Sequence, residues 1–184
     1  MKASDRHTLL NCEILKFASS ILVHMEKLSF YGVGPKIGRV LIPYFVITIS
    51  MTILFPAKLT FGEAFRGPFF WLGAFLVLTG FIFYFATLRL MLPGIRENRL
   101  ITRGSYRICR NPLYAALILI VIPGVGLMLN SWIIITTIIP GYIVFRKSIH
   151  GEEEQLERIF GDEYRSYHKS TPLFFPNLLN LFKG

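Results

Sequence analysis

Two polar segments of this sequence contain the side chains best suited to ligand binding or catalysis. The first, residues 98–114, contains several arginines, two tyrosines and the pair Asn111-Pro112. The second, residues 146–168, contains three adjacent glutamates, Glu152 to Glu154. Guanidinium groups and carboxylates form the strongest hydrogen bonds to oppositely charged ligands. These two segments are therefore the candidates for a binding site.

The end of the first segment predicts the start of a helix. Asn is a favoured N-cap residue, and Pro suits the first helical position, so we expect a helix to begin at Asn111-Pro112. Arg110 comes directly before it. The free N–H groups of a helix start, together with an arginine, favour an anion such as a carboxylate or a phosphate. Anionic lipid headgroups would attract the same arginines, so charge alone leaves both interpretations open.

The glutamates of the second segment also allow two interpretations. Acidic side chains are favourable in the first turn of a solvated helix next to the membrane. Carboxylates this close to anionic headgroups are nevertheless unexpected, and a cationic ligand would explain them. The four histidines show no metal-ligand spacing with one another, so we predict no metal site, and we expect His150 at the surface.

The composition indicates that a membrane holds these segments. Of the 184 residues, 53% are apolar and 17% are charged, and the mean hydropathy is +0.51. Soluble domains carry about 25% charged residues. Disorder and a soluble α/β enzyme both fit this apolar composition poorly. A small disulfide scaffold also fits poorly, since there are only two cysteines. Nucleic-acid binding would explain the net charge of +9 but not the apolar runs, so we predict no nucleic-acid partner.

Three charge-free runs predict the helices that cross the membrane. They cover residues 40–57, 67–88 and 113–145. A crossing needs about 20 residues, so the third run is long enough for two short crossings. Asn130-Ser131 near its middle offers a turn and an N-cap, which predicts a tight hairpin of helices 112–129 and 131–147. The expected fold is a single all-α domain over 1–184, an integral membrane bundle of about four transmembrane helices with a cytoplasmic C-terminal helix.

The distribution of basic residues predicts the orientation. Of the 20 lysines and arginines, 18 fall on one side of the four-span arrangement. The positive-inside rule then makes both termini and the loop 89–112 cytoplasmic, in a multi-pass protein that we expect in the plasma (inner) membrane of a prokaryote. Residues 1–39 form an amphipathic N-terminal segment. Within it, 8–28 fits an in-plane helix better than a fifth span.

The two polar segments carry a family resemblance. The pattern Gly104-x-Tyr106-x3-Arg110-Asn111-Pro112-x-Tyr114 resembles the first signature of the integral-membrane methyltransferases, which include isoprenylcysteine carboxyl methyltransferases and phospholipid N-methyltransferases. The pattern Glu152-Glu153-x-x-Leu156-x3-Phe160-Gly161-x-Glu163-Tyr164-x-x-Tyr167 is similar to their second signature. Both occur in order, separated by the charge-free hairpin, and define a methyltransferase-like region over 98–176.

The resemblance implies S-adenosylmethionine as the cofactor, with Arg110 and Glu152 as the catalytic residues. It implies a cofactor site formed by Asn98, Arg99, Leu100, Ile101, Tyr106, Asn111, Pro112, Leu113, Tyr114, Glu152 and Glu153. Arg146 is carried over as a substrate contact. The expected reaction is methylation of a membrane lipid or lipidated small molecule at the cytoplasmic surface, on an amine, a carboxylate or a thiol.

Two other functions remain open from the sequence. Membrane reductases of the sterol-reductase type share a similar Arg-(His/Asn)-Pro-x-Tyr element and use NADPH. Their C-terminal segment typically has a Lys-Tyr-Gly-like element, whereas Phe160-Gly161 after Glu152-Glu153 favours the methyltransferase. A non-catalytic membrane protein that keeps a decayed site is the other alternative.

Overall fold

The computed structural model describes residues 33–175, and this part of the chain is built from helices. The main helices are α1 (Gly34–Leu54), α2 (Glu63–Glu97), α3 (Pro112–Met128), α4 (Trp132–Phe160) and α5 (Asp162–Ser170). Single turns occur at Pro56–Leu59 and Gly104–Arg107. Within the described residues, α1, α2 and α4 are long and apolar enough to cross a membrane, and α3 is a shorter apolar helix. The predicted all-α membrane bundle is confirmed, while segment 8–28 lies outside the described residues.

The hairpin forms where the sequence predicts it. Asn130 adopts a left-handed backbone conformation (φ 51°) between α3 and α4. Its side chain donates to the carbonyl of Gly62 at 3.0 Å, and Trp132 Nε1 donates to the carbonyl of Lys58 at 3.2 Å. The α3–α4 turn therefore lies beside the α1–α2 connection. At the opposite end, the start of α1 contacts the start of α3 through a bond from Val33 N–H to the Tyr114 hydroxyl. Consecutive helices thus alternate in direction.

Two local expectations need correction. Ser131 occupies the N-cap position of α4, but its hydroxyl hydrogen bonds with Thr52 Oγ1 at 2.7 Å, and within the described residues it makes no capping bond. The Ser131 hydroxyl thus bonds to the nearby Thr52 hydroxyl on α1 in place of a backbone N–H of α4. In addition, α4 does not stop near residue 147 but continues to Phe160, so the glutamates lie on the same helix as the fourth span.

Small residues bring α2 and α3 into close contact. The buried residues of α2 recur at every seventh position: Gly73, Gly80, Thr87 and Gly94. A Cβ atom on Gly73 would collide with the carbonyl oxygen of Gly124, and one on Gly80 would lie 2.7 Å from Val121 Cγ2. Because lipid is as apolar as a leucine side chain, helices in a membrane associate largely through such close packing.

The prolines of the hairpin coincide with local irregularities. Pro123 follows a π-helical stretch, Leu117–Val121, with only Ile122 between them, and lies next to Gly124. Proline lacks the N–H that would bond to the carbonyl four residues earlier, so a widened turn before it is physically reasonable. In α4, a turn at residues 136–137 interrupts the helix shortly before Pro140. Gly124 also allows α3 to pack closely against α2, since a Cβ added there would lie 2.9 Å from Val77 Cγ2.

The close packing of α2 against α3 predicts a size limit at Gly73. Gly73→Ala should lower the free energy of unfolding by about 1–3 kcal/mol, because the added methyl group overpacks a backbone contact. Gly67→Ala is the matched control on the same helix, since a Cβ there meets nothing within 4 Å. Denaturant unfolding in detergent micelles would compare them. Equal stability of the two variants would contradict the packing model.

Candidate functional site

The loop after α2 is held against that helix by its first residues. Asn98 ends α2 in the left-handed conformation (φ 51°), and Arg99 N–H donates to the carbonyl of Gly94 at 2.9 Å, as in a helix C-cap. The side chain of Ile101 fills the space that a Cβ on Gly94 would need. Arg99 pairs with Glu97 at 2.9 Å in an exposed position. The structure gives these residues a role in turning the chain, and the placement of 98–101 in the cofactor site stays a prediction.

A glycine turn sets the position of Tyr106. Gly104 has φ +64°, and a Cβ there would lie 2.6 Å from Leu90 Cδ1. The next residue, Ser105, accepts a buried hydrogen bond from Thr87 Oγ1 at 2.9 Å. Both contacts fix the turn Gly104–Arg107 against α2. The glycine of the Gly-x-Tyr pattern in the first motif therefore has a steric cause, since a larger residue would collide with Leu90.

A buried ion pair joins the two motifs. Arg110 Nη2 lies 2.9 Å from Glu153 Oε1, with the side chains only 8% and 15% exposed. Arg110 Nη1 donates to the carbonyl of His168 at 3.0 Å, and the Tyr164 hydroxyl donates to Glu153 Oε1 at 3.3 Å. The backbone N–H of Arg110 donates to the carbonyl of Pro172 at 2.8 Å. The loop before α3, the end of α4 and the segment after α5 are thus held together at one point.

This geometry changes the interpretation of Arg110 and Asn111. Arg110 has Glu153 as its anionic partner, so its part in catalysis stays a prediction. Asn111 does occupy the N-cap position with Pro112 following, but in the described chain its side chain makes no capping bond. Its Nδ2 donates to the carbonyl of Leu173 at 3.0 Å instead. The prediction that the Asn111 side chain caps α3 is therefore wrong, because its amide group bonds to the carbonyl of Leu173, in the segment after α5.

Glu152, next to the ion pair, has a very different environment. Its Oε2 is buried and has no hydrogen-bond partner within residues 33–175. Glu152 lies beyond the charge-free run that ends at Phe145, and so outside the membrane span. Burial raises the pKa of its carboxyl above the usual range, hydrogen bonding from the backbone of Val33 opposes this, and the charge of Glu153 adds to it. A buried carboxylate oxygen without a partner is costly, so it invites a cation or a hydrogen-bond donor.

Two tyrosines of the first motif lie beside Glu152. Burial and then the negative charge of Glu152 raise the pKa of Tyr106, so this phenol stays protonated at neutral pH. Tyr114, at the start of α3, accepts a hydrogen bond from Val33 and contacts Phe145 with ring centroids 5.5 Å apart. The structure thus brings Tyr106, Tyr114 and Glu152 into one cluster, and their contact with a cofactor stays a prediction.

Several residues of the site could not be assigned from the sequence. The Tyr167 hydroxyl donates to the carbonyl of Tyr106 at 2.6 Å, and Phe174 is buried 4.7 Å from Phe145 between ring centroids. Both belong to the C-terminal part that covers the cluster. Tyr167 belongs to the second motif and so had a signal, whereas Phe174 had none. Cys109 is buried, and burial raises the pKa of its thiol to about 11, which keeps it protonated.

The remaining predicted residues lie around this cluster. Pro112 is buried at the start of α3, and Leu113 next to it is half-buried. Arg146 is exposed on α4, two helical turns before Glu153 and on the same stripe of the helix. Its contact with a substrate stays a prediction. His150 is exposed, as expected.

Comparison with known proteins identifies the family. The family model described as phospholipid methyltransferase matches residues 64–163, more than half of the chain. The chain therefore belongs to the phospholipid methyltransferase family, which confirms the resemblance found in the two motifs.

Two curated bacterial proteins are similar over part of their length. The cobalt-zinc-cadmium resistance protein CzcN of Cupriavidus metallidurans is 30% identical over 95 residues, and the nickel-cobalt-cadmium resistance protein NccN of Alcaligenes xylosoxydans xylosoxydans is 31% identical over 96. Each match covers 52% of this chain. It covers 43% of the first relative and 44% of the second, so less than half of either protein is matched.

The buried ion pair predicts unequal effects at two glutamates. Glu153→Gln should lower the free energy of unfolding by about 3–5 kcal/mol, because it leaves the buried guanidinium of Arg110 without its counter-charge. Glu97→Gln breaks the exposed pair with Arg99 and should cost less than about 1 kcal/mol. Thermal and denaturant unfolding of the purified variants would measure both. Equal small losses would mean that the Arg110–Glu153 pair does not hold the site together.

Proposed function

We propose that this protein is an S-adenosylmethionine-dependent methyltransferase that acts on a membrane-embedded amphiphile at the cytoplasmic membrane surface. The observation that supports this most directly is the buried Oε2 of Glu152, which lacks a hydrogen-bond partner in the described range 33–175. Glu152 lies beside two tyrosines. The chain belongs to the phospholipid methyltransferase family. A cationic cofactor with hydroxyl groups fits this environment.

The residues of the cluster fit the groups of this cofactor. The Glu152 carboxylate would accept from its ammonium group or its ribose, and the rings of Tyr106 and Tyr114 offer faces for adenine or for the sulfonium centre. When bound, the cofactor supplies a methyl group on a positively charged sulfur. The further walls that we assign to this site are Asn98, Arg99, Leu100, Ile101, Asn111, Pro112, Leu113 and Glu153.

The contribution of the protein to the reaction is alignment and exclusion of water. Methyl transfer is an in-line displacement at carbon, so orientation of the two reactants matters most. The Arg110–Glu153 pair holds the start of α3 against α4, and Phe174, 2% exposed, packs against Phe145 in the core. Through that pair Arg110 positions Glu152 and the tyrosines. A dry site also strengthens the attraction between Glu152 and a cation.

The acceptor that we favour is the amine of a phospholipid. The description of the family supports it, and so does Asn111, since isoprenylcysteine enzymes usually have His at that position. We assign Arg146 to the headgroup of the acceptor because it is exposed on α4 directly after the charge-free run that ends at Phe145. Transfer of labelled methyl groups into extracted membrane lipids, followed by separation by headgroup, would identify an amine, a carboxylate or a thiol acceptor.

Charge argues against the reductase alternative. NADPH carries several phosphate charges and needs cationic partners. The cluster offers the Glu152 carboxylate, and the guanidinium of Arg110 is already paired with Glu153. The two similar bacterial proteins are named for metal resistance. Within residues 33–175, no group of three or more His, Cys, Asp or Glu side chains is placed to hold a metal ion.

The proposed orientation can be tested by labelling. In a Cys12→Ser background, Leu129→Cys at the α3–α4 turn should react with an impermeant thiol reagent on intact cells, because Leu129 is 47% exposed on the charge-poor side. Lys169→Cys on α5 should react only after permeabilisation. Native Cys109 is 2% exposed and should stay silent in both. The reverse pattern would put the arginine-rich end, and the site, outside the cell.

The cofactor assignment predicts a specific effect at Glu152. Glu152→Gln should weaken S-adenosylmethionine binding by roughly 10- to 150-fold, the equivalent of one charged hydrogen bond. Glu154→Gln removes an exposed carboxylate two positions away on the same helix and should bind like wild type. Titration calorimetry on purified protein in micelles is the measurement.

The outcomes separate the candidate functions. Binding of NADPH without binding of S-adenosylmethionine would support the reductase, and binding of neither would support a non-catalytic protein. Equal cofactor affinity of Glu152→Gln and Glu154→Gln, with unchanged unfolding temperatures, would exclude Glu152 from the site.

A further inference from the structure

The amino end of α1 contacts the cluster, although α1 lies outside the residues 64–163 that match the family. Val33, the residue just before α1, is 3% exposed. Its backbone N–H donates to the hydroxyl of Tyr114 at 3.1 Å, across 81 positions of the sequence. A residue of the predicted N-terminal segment 1–39 therefore contacts a residue of the first motif.

The packing around Val33 places it beside the turn of α4 that carries Glu152. Val33 and Ile37 belong to the same buried core cluster as Phe145 and Ile149, and Tyr114 packs against that cluster. Ile149 lies one helical turn before Glu152. Hydrogen bonding from the backbone of Val33 to the Glu152 carboxyl favours its ionised form and opposes the effect of burial.

The local chain geometry explains why this N–H is available. The first N–H groups of a helix have no partner within the helix. Val33 is the N-cap residue of α1 (φ −80°, ψ −12°), and its carbonyl accepts from Lys36 and Ile37. Pro35, in the first turn, has no N–H of its own and is not a backbone donor. The Val33 N–H is a donor at this end of α1, and it lies next to the cluster.

The titratable groups that interact with the charge of Glu152 come from four parts of the chain. They are Tyr106 from the loop, Tyr114 from α3, Glu153 from α4 and Tyr164 from α5. Each of these side chains is either neutral or negative at neutral pH, and the nearby charge of Arg110 is matched by Glu153. The Val33 N–H is thus a donor to this cluster from outside the two motifs: it donates to the Tyr114 hydroxyl at 3.1 Å, and the Val33 backbone opposes the rise in the pKa of Glu152.

We propose that the amino end of α1 forms a wall of the cofactor site and that Val33 is a positioning residue. Its backbone N–H orients the Tyr114 hydroxyl and the Glu152 carboxylate, so that Glu152 Oε2 remains available to the cationic group of the cofactor. The inference rests on the proposed function and deepens it by adding a backbone donor that neither motif contains.

Removal of this one N–H tests the proposal. Val33→Pro deletes the donor, and its fixed φ of about −65° is close to the φ of −80° at this position. Val33→Ala is the matched control, because it keeps the N–H and removes side-chain volume instead. A variant with the α-hydroxy acid analogue of valine, 2-hydroxy-3-methylbutanoic acid, at position 33 replaces the amide by an ester; it deletes the N–H while keeping the side chain and serves if the proline variant does not fold.

The expected result is a shift in the pH dependence of S-adenosylmethionine binding. Loss of a hydrogen bond to the ionised form raises the pKa of Glu152, so binding should be about 10-fold weaker near neutral pH and should recover as the pH rises. Val33→Ala should keep the wild-type pH profile even if its unfolding temperature falls. Infrared titration of the Glu152 carboxyl without cofactor, identified by subtracting the spectrum of Glu152→Gln, should show the same upward shift for Val33→Pro alone.

The two possible failures are distinguishable. If wild type binds the cofactor but the N–H deletions and Val33→Ala share one pH profile and one infrared midpoint, the positioning role is overturned while the proposed function stands. If wild type does not bind S-adenosylmethionine at all, the proposed function is overturned and the cofactor-site role of Val33 with it.

Discussion

The structure depends most on the buried pair of Arg110 and Glu153. Two charges taken out of water are expensive unless further hydrogen bonds satisfy them, and here the Tyr164 hydroxyl and the carbonyl of His168 supply two, while Arg110 Nε is buried without a partner in the described residues. Because these four residues come from the loop before α3, from α4 and from α5, their pairing joins three parts of the chain. Without it, the loop that carries Tyr106 and the helix that carries Glu152 would lack their main polar connection.

The buried stripe of small residues on α2 also positions parts of the structure, both within the membrane and near the candidate site. Gly73 and Gly80 pack against α3, where close van der Waals contact replaces a hydrophobic driving force. Further along the same stripe, Thr87 bonds to Ser105 and Gly94 accommodates Ile101. One face of one helix therefore sets the distance between spans and also fixes the loop that leads to Tyr106.

The sequence allowed the helices to be predicted because apolar runs and turn residues act locally. The hairpin turn at Asn130 and the helix start at Pro112 belong to this class. What failed depended on partners far away in sequence: the Asn111 amide bonds to the carbonyl of Leu173 instead of capping its own helix. For the same reason, the sequence did not predict the partner of Arg110 or the contact from Val33 to Tyr114. The methyltransferase assignment came from the motif resemblance, which physical pattern alone would not have supplied.

Glu152 and Glu153 illustrate how adjacent identical residues acquire different roles. Successive positions on an α-helix point about 100° apart, so Glu153 faces Arg110 while Glu152 faces the tyrosines. The ion pair cancels one charge and leaves the other, whose Oε2 has no partner in the described part of the chain. A cation that enters this environment neutralises the buried carboxylate, whereas a polyanion would add repulsion to the cost of desolvation. The preference for a cationic cofactor that we propose for this site would thus follow from the pairing of Arg110 with Glu153.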